Sequence, residues 1–234
     1  MPHVPVVDIS ADPDAVGAEL DEICRAVGFF QVTGHGIPDG VAEPAWTMAT
    51  RFFDLPLEDK LSVARPAPDY PYGYMPLAGE SLGQSMTGAG QVTPPDLKEV
   101  FNMGPPGGPA HQPADYGTLT ILRQDTVGGL EVLGPAGTWT GVEPVPGAFV
   151  VNIGDLMARW TNDRWRSTLH RVVDPPDPSA AAARRQSMPY FQNANWSAEI
   201  SCLPTCLEPG QQPRYAPVLA GPHLMGKFRR SVSS

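Results

Sequence analysis

Between Val145 and Phe191 three short apolar runs follow one another: Ala148–Ile153, Thr168–Val173 and Gln186–Phe191. Their lengths and their β-branched and aromatic content suit strands of a mostly buried sheet. Two polar side chains interrupt them where burial is expected. His170 stands inside Ser-Thr-Leu-His-Arg-Val-Val, and Arg185 heads Arg-Gln-Ser-Met. An imidazole binds metal well, and a guanidinium forks onto a carboxylate. The pair points to a site inside a β-barrel, with the rest of the chain as scaffold. Asn152 and Tyr190 are expected to face the same pocket.

The scaffold reads in order from the N-terminus. Val4–Ile9 is a strand, and Ser10 or Asp12 caps the helix behind it. That helix carries Val16, Leu20, Ile23, Cys24 and Val27 on one face and ends at Gly28. Phe29–Val32 is a second strand, and a second helix covers 39–54. Pro56 opens a short third helix with acidic residues first. His35 is expected to order its turn. Residues 66–95 are irregular and hold Tyr70, Tyr72 and Tyr74. They form either a loop over a pocket or a surface crossing whose tyrosines pack on the core. Lys98–Met103 reads as a strand, and Gly104–Pro113 as a linker without periodicity. Thr118–Leu122 and Leu130–Leu133 are strands. A Gly134–Gly137 turn before Trp139 marks a hairpin. A short helix at Asp155–Trp160, a strand-like Glu199–Leu203 and an amphipathic, basic-ended helix at Leu219–Arg230 complete the chain.

With 28 Pro and 24 Gly in 234 residues, turns and short strands outweigh long helices. A net charge of -9 argues against nucleic acid and anionic membranes as partners. No apolar run approaches the ~20 residues of a membrane span. The opening MPHVPVVDIS lacks the basic and apolar regions of a signal peptide. Three Cys, an odd number, favour free thiols over a disulfide framework. The expected location is the cytoplasm.

Several stretches carry a family resemblance: VPVVDIS, GFFQVTGHGIP, RFFDLPLEDK and KEVFNMG, then DYGTLTILRQD, VGGLEVL, PGAFVVNIGDLMARWTND, RSTLHRVV, RRQSM and AGPHLMGKFRRSV. In this order they resemble the isopenicillin-N-synthase-like branch of the iron(II)/2-oxoglutarate-dependent oxygenases, over nearly the whole chain. The resemblance implies an α+β chain with a mainly β core. That core is a double-stranded β-helix (jelly roll), here incomplete, with an N-terminal α/β extension and flanking helices. It divides the chain into an N-terminal dioxygenase-like domain at 1–103, a Gly/Pro-rich junction at 104–114 and the catalytic jelly-roll portion at 115–234. It also implies the chemistry: iron(II), O2 and 2-oxoglutarate as co-substrate. A C–H bond of a small molecule is hydroxylated, desaturated or cyclised while 2-oxoglutarate loses carbon dioxide to become succinate. In this reading Asp115 and His170 are metal ligands, and Arg185 with Ser187 grips the 2-oxoglutarate carboxylate.

One position departs from the pattern. Family members carry His two residues before the aspartate, and here that residue is Pro113, which has no donor for iron. His and Asp at i and i+2 on a strand point the same way, ~6.6 Å apart, and can share an ion. His111 is the only nearby replacement. On an extended strand it lies ~13 Å from Asp115, although Pro113 allows a turn between them. The family also places several helices and the first barrel strands between FNMG and DYGTL, where this chain has a short Gly/Pro stretch. An internal deletion accounts for both departures. The alternative function is therefore a non-catalytic or impaired remnant, a binding protein on the same scaffold. Its exposed strand edges would be covered by a second copy of the chain.

Overall fold

The computed structural model describes residues 4–67, 70–77, 79, 96–104, 117–173 and 184–232. Its elements begin with β1 (Val6–Asp8), α1 (Pro13–Ala26), β2 (Phe29–Thr33), α2 (Asp39–Phe53) and α3 (Leu57–Leu61). Then come β3 (Gly73–Met75), β4 (Val100–Asn102), β5 (Leu119–Gln124), β6 (Leu130–Leu133), β7 (Trp139–Gly141) and β8 (Phe149–Ile153). The chain closes with α4 (Asp155–Trp160), β9 (His170–Val172), β10 (Ser187–Gln192), β11 (Glu199–Ile200), β12 (Val218–Leu219) and α5 (Ala220–Val232). They fold as two units. One comprises Met1–Trp46, Gly117–Asn193 and Ser201–Pro217, the other Thr47–Tyr116, Ala194–Ile200 and Val218–Ser234.

In the first unit, local chemistry sets each boundary near the site. Asp12 caps α1, its carboxylate accepting from the Ala15 N–H at 3.1 Å, and Pro13 takes the first turn, where no N–H is needed. Gly28 turns the chain from α1 into β2 at φ +61°, and a Cβ there would collide with the Arg166 carbonyl. The five strands β1-β2-β8-β5-β10 form one sheet, antiparallel apart from the β1–β2 pair. The three strands β7-β6-β9 form a second.

Alternation along the strands gives the larger sheet two different faces. Phe30, Val32, Val151 and Ile153 pack with Ile23 and Cys24 of α1 on the outer face. Phe29 and Val150 pack with Leu130, Val132 and Val142 on the inner face, against the smaller sheet. Each fully buried side chain of this kind contributes about 1.5–3 kcal/mol. Two face-to-face sheets with their core between them make the jelly-roll layer, and it is incomplete. Among the described residues β9 and β10 each end their sheet with one edge unpaired.

The second unit is tied together around Lys60, which is 8% exposed. Its ammonium donates to Glu99 at 2.7 Å and to the Phe53 carbonyl at 3.2 Å. The Tyr74 hydroxyl donates to the same Glu99 oxygen at 2.6 Å, and burial followed by that bond pushes its pKa up to about 12. Tyr74 is thus core. Tyr70 and Tyr72 meet edge to face, and residues 80–95 lie outside the described set. The expected strand Glu199–Leu203 shortens to two residues, because the Leu203 N–H turns to the Trp160 carbonyl in the first unit's own segment. No helix among the described residues is long and apolar enough to cross a membrane. Most of the junction expected at 104–114 also lies outside them.

Candidate carboxylate and metal site

The site is built on the inner face of the first unit. Residues paired directly across antiparallel strands share a face. Ser187 of β10 pairs with Gln124 of β5, and Phe191 with Thr120. Thr120 pairs in turn with Asn152 of β8, and Asn152 with Phe29 of β2. Phe29 belongs to the inner core, so this whole row faces the smaller sheet. Asn152 falls where the sequence places it. Tyr190 does not: it pairs with Ile121, which packs against the α1 side, and it is 62% exposed. One step of the pleat separates it from the pocket-facing residues on either side.

Arg185 enters from the start of β10, two residues before Ser187. Its Nε donates to the Gly128 carbonyl at 2.8 Å, Nη1 to the Ser187 hydroxyl at 3.3 Å and Nη2 to the Gln124 amide oxygen at 3.2 Å. All three partners are neutral. Burial lowers the guanidinium pKa, opposed by the field of Asp125. Asp125 is nevertheless engaged elsewhere: one carboxylate oxygen accepts from the Val127 N–H at 3.0 Å and the other from the Gln186 N–H. A half-buried cation with neutral partners is prepared for an anionic ligand.

His170 sits on β9 opposite Val132, which is buried between the sheets, and its ring lies 5.4 Å from that of Phe29. Both sheets therefore contribute to the same inner space. The ring Nδ1 is 3.1 Å from the Thr168 carbonyl. A carbonyl only accepts, so this contact places a proton on Nδ1 and leaves Nε2 as the ring nitrogen available to a metal. This is how a metal-binding imidazole is commonly oriented. His170 is exposed, as is Val172 beyond it, at 57%. Asp115, Pro113 and His111 lie outside the described residues. Among those described, no three His, Cys, Asp or Glu side chains gather where they could hold a metal ion.

His35 orders its turn as expected: Nδ1 accepts from the Ile37 N–H at 3.1 Å, and Nε2 meets the Gly147 carbonyl at 2.9 Å. The sequence reading missed Gln124, Asp125 and Gly128. For Gln124 alone there was a signal, parity: it continues the Thr120, Leu122 row of a strand whose alternate positions face inward.

Two family models match the chain, together over residues 4–194. Residues 4–121 match the model described as non-haem dioxygenase in morphine synthesis N-terminal, and residues 101–194 match the 2OG-Fe(II) oxygenase superfamily. The chain belongs to the 2-oxoglutarate/iron(II) oxygenase superfamily. Among its relatives is the 2-oxoglutarate-Fe(II) type oxidoreductase hxnY of Emericella nidulans, 29% identical over 97% of this chain and 90% of that protein. Another is the homoarginine-6-hydroxylase of Oryza sativa subsp. japonica, 27% identical over 96% of each chain. A full-length Neurospora crassa protein crystallised in complex with alpha-KG shares the fold, with a TM-score of 0.82 at 22% identity over 96% of this chain and 95% of that one. A 2OG-Fe(II) oxygenase family protein from Caulobacter crescentus gives 0.79 at 25% identity, over 97% and 98%. The Emericella alignment runs over 318 residues, against 234 in this oxygenase chain. The shortfall therefore lies inside the matched span.

Proposed function

We propose that the chain oxidises a C–H bond of a small molecule while converting 2-oxoglutarate to succinate, with Arg185 and Ser187 holding the far carboxylate of 2-oxoglutarate and His170 ligating iron(II). The observation that carries this reading is the Arg185 corner, a half-buried guanidinium bonded to neutral oxygens on the inner face of the jelly roll. The described residues fit the co-substrate's carboxylate, and His170 Nε2 fits one metal position. Asp115 is the second ligand in this proposal. Iron, when bound, supplies the activation of O2. The protein's own residues fix the dicarboxylate in orientation and hold the imidazole in its ligating tautomer. The three cysteines are free thiols, which suits a reducing compartment such as the cytoplasm.

A second reading is an impaired scaffold that binds ligand without turnover. It is favoured by Pro113, by the shortfall inside the matched span and by the unpaired edges of β9 and β10 among the described residues. In that reading a second copy covers the edges. Isothermal titration with manganese(II) in the presence of 2-oxoglutarate, comparing the parent chain with Pro113→His, separates the two. If the lost imidazole is the main defect, Pro113→His binds metal at least about tenfold tighter, a gain of about 1.4 kcal/mol, and forms succinate with iron(II). The oxygenase reading fails if neither chain binds metal and Arg185→Met leaves 2-oxoglutarate binding unchanged.

A further inference from the structure

Cys202 and Cys206 stand four residues apart in sequence, and a 3₁₀ turn at Pro204–Cys206 folds the chain between them. The turn is pinned at both ends. The Leu203 N–H donates to the Trp160 carbonyl at 2.8 Å, and the Leu207 N–H to the Pro204 carbonyl at 3.2 Å. Both cysteines converge on one atom, the Leu203 carbonyl oxygen. The Cys202 thiol donates to it, its sulfur at 3.5 Å, and so does the Cys206 N–H at 2.9 Å. Both side chains are half-buried, within reach of a small solute. Their surroundings differ. Burial, then the neighbouring Cys206, pushes the Cys202 thiol up, so that it keeps its proton. The Arg25 guanidinium of α1, paired with Asp21 at 2.7 Å, also reaches Cys206 with its field, and a nearby cation favours a thiolate. Cys24 is the contrast: it is 2% exposed, and burial followed by the field of Asp21 pushes its thiol up to about 11. Partly exposed thiols beside a cation react, and thiols buried in apolar surroundings are inert.

We propose that Cys202 and Cys206 are a thiol pair that a peroxide closes into an intrachain disulfide, with Cys206 as the attacking sulfur. A disulfide needs Cα atoms within ~7 Å. A turn brings residues i and i+4 toward that range, where an extended strand would hold them ~13 Å apart. The Cys206 thiolate attacks one peroxide oxygen, the O–O bond breaks, and the other oxygen takes a proton and leaves as water or alcohol. Cys206 is then a sulfenic acid, having given two electrons to the peroxide. The Cys202 sulfur attacks that sulfenic sulfur. An S–S bond forms, the S–O bond breaks, and the hydroxyl leaves as water with the Cys202 proton. A small dithiol reverses the bond by exchange. The proposal uses none of the residues assigned to metal or co-substrate, and it stands or falls apart from the oxygenase reading.

Hydrogen peroxide is the probe. The full chain, reduced and kept with a metal chelator, is treated with it and digested without reductant for mass spectrometry. The expected product is lighter than the parent by two hydrogen atoms, with Cys202 and Cys206 joined inside one peptide and Cys24 still a thiol. Dithiothreitol is expected to restore the parent mass. Cys202→Ser leaves the first step without the second, so its sulfenic acid persists and a dimedone adduct is expected on Cys206. Cys206→Ser is expected to give neither adduct nor cross-link over the same time. Both substitutions exchange a single atom at a half-buried position. The proposal is overturned if the parent goes to sulfinic acid or to disulfide-linked dimers without the internal bond. It is overturned equally by a dimedone adduct on Cys24, or on Cys202 in Cys206→Ser. A parent that keeps all its thiols while glutathione in a parallel tube is fully oxidised has the same result.

Discussion

Asp21 shows how much a single surface carboxylate can hold together in this chain. It accepts from Arg25 Nε at 2.9 Å on its own helix and from Trp165 Nε1 at 2.7 Å and Arg164 Nη2 at 3.1 Å beyond α4. The Arg25 bond first, then the Trp165 bond, holds its carboxyl well below the usual carboxylate range. A carboxyl with a lowered folded-state pKa adds stability that is present above its unfolded value, ~3.9, and is lost as pH falls through the folded value. Asp21→Asn should therefore cost about 1–2 kcal/mol at neutral pH. Urea unfolding at stepped pH should show the parent and variant converging below about pH 4. At this same scale the site was only half legible. His170 and Arg185 declare themselves because a polar side chain inside an apolar run needs a reason. Gln124 does not, because a polar residue at the end of a strand is ordinary, and only the register with Ser187 gives it meaning.

The helices and strands were the most legible features. Capping residues, acid-first openings and glycine stops are local chemistry, and α1, α2, α4 and α5 start and stop within a few residues of where that chemistry puts them. Strand lengths were less legible, because hydrogen-bond partners end a strand and sequence neighbours do not. Tyr190 shows the same limit, since a hydrophobic run shows that a strand is buried without showing which parity faces in. The link between α1 and β2 gives a direct test. Gly28→Ala meets both a left-handed backbone and the Arg166 carbonyl, and should cost at least about 2 kcal/mol. A fall in the urea midpoint with an unchanged slope would show lost stability with no change in the surface exposed on unfolding.

At the scale of the whole chain, the ordered run of motifs made the family legible, and Pro113 together with the short Gly/Pro stretch made the internal loss legible. What fills the lost strands' places was not legible, because covering an edge is a matter of partners and not of local propensity. The sheet order has a consequence for timing. β8 is flanked on both sides by β2 and β5 and covered on both faces, with Val150 at 1% and Val151 at 5% exposure. β9 is a three-residue end strand, exposed throughout. Deuterium uptake should therefore be at least about a hundredfold slower in β8 than in β9. The imidazole stands on this exposed end strand, and the guanidinium is rooted by Gly128, Ser187 and Gln124. On the roles proposed for Arg185 and His170, an incoming dicarboxylate is expected to anchor tail first, with the imidazole's end of the site settling around it afterwards.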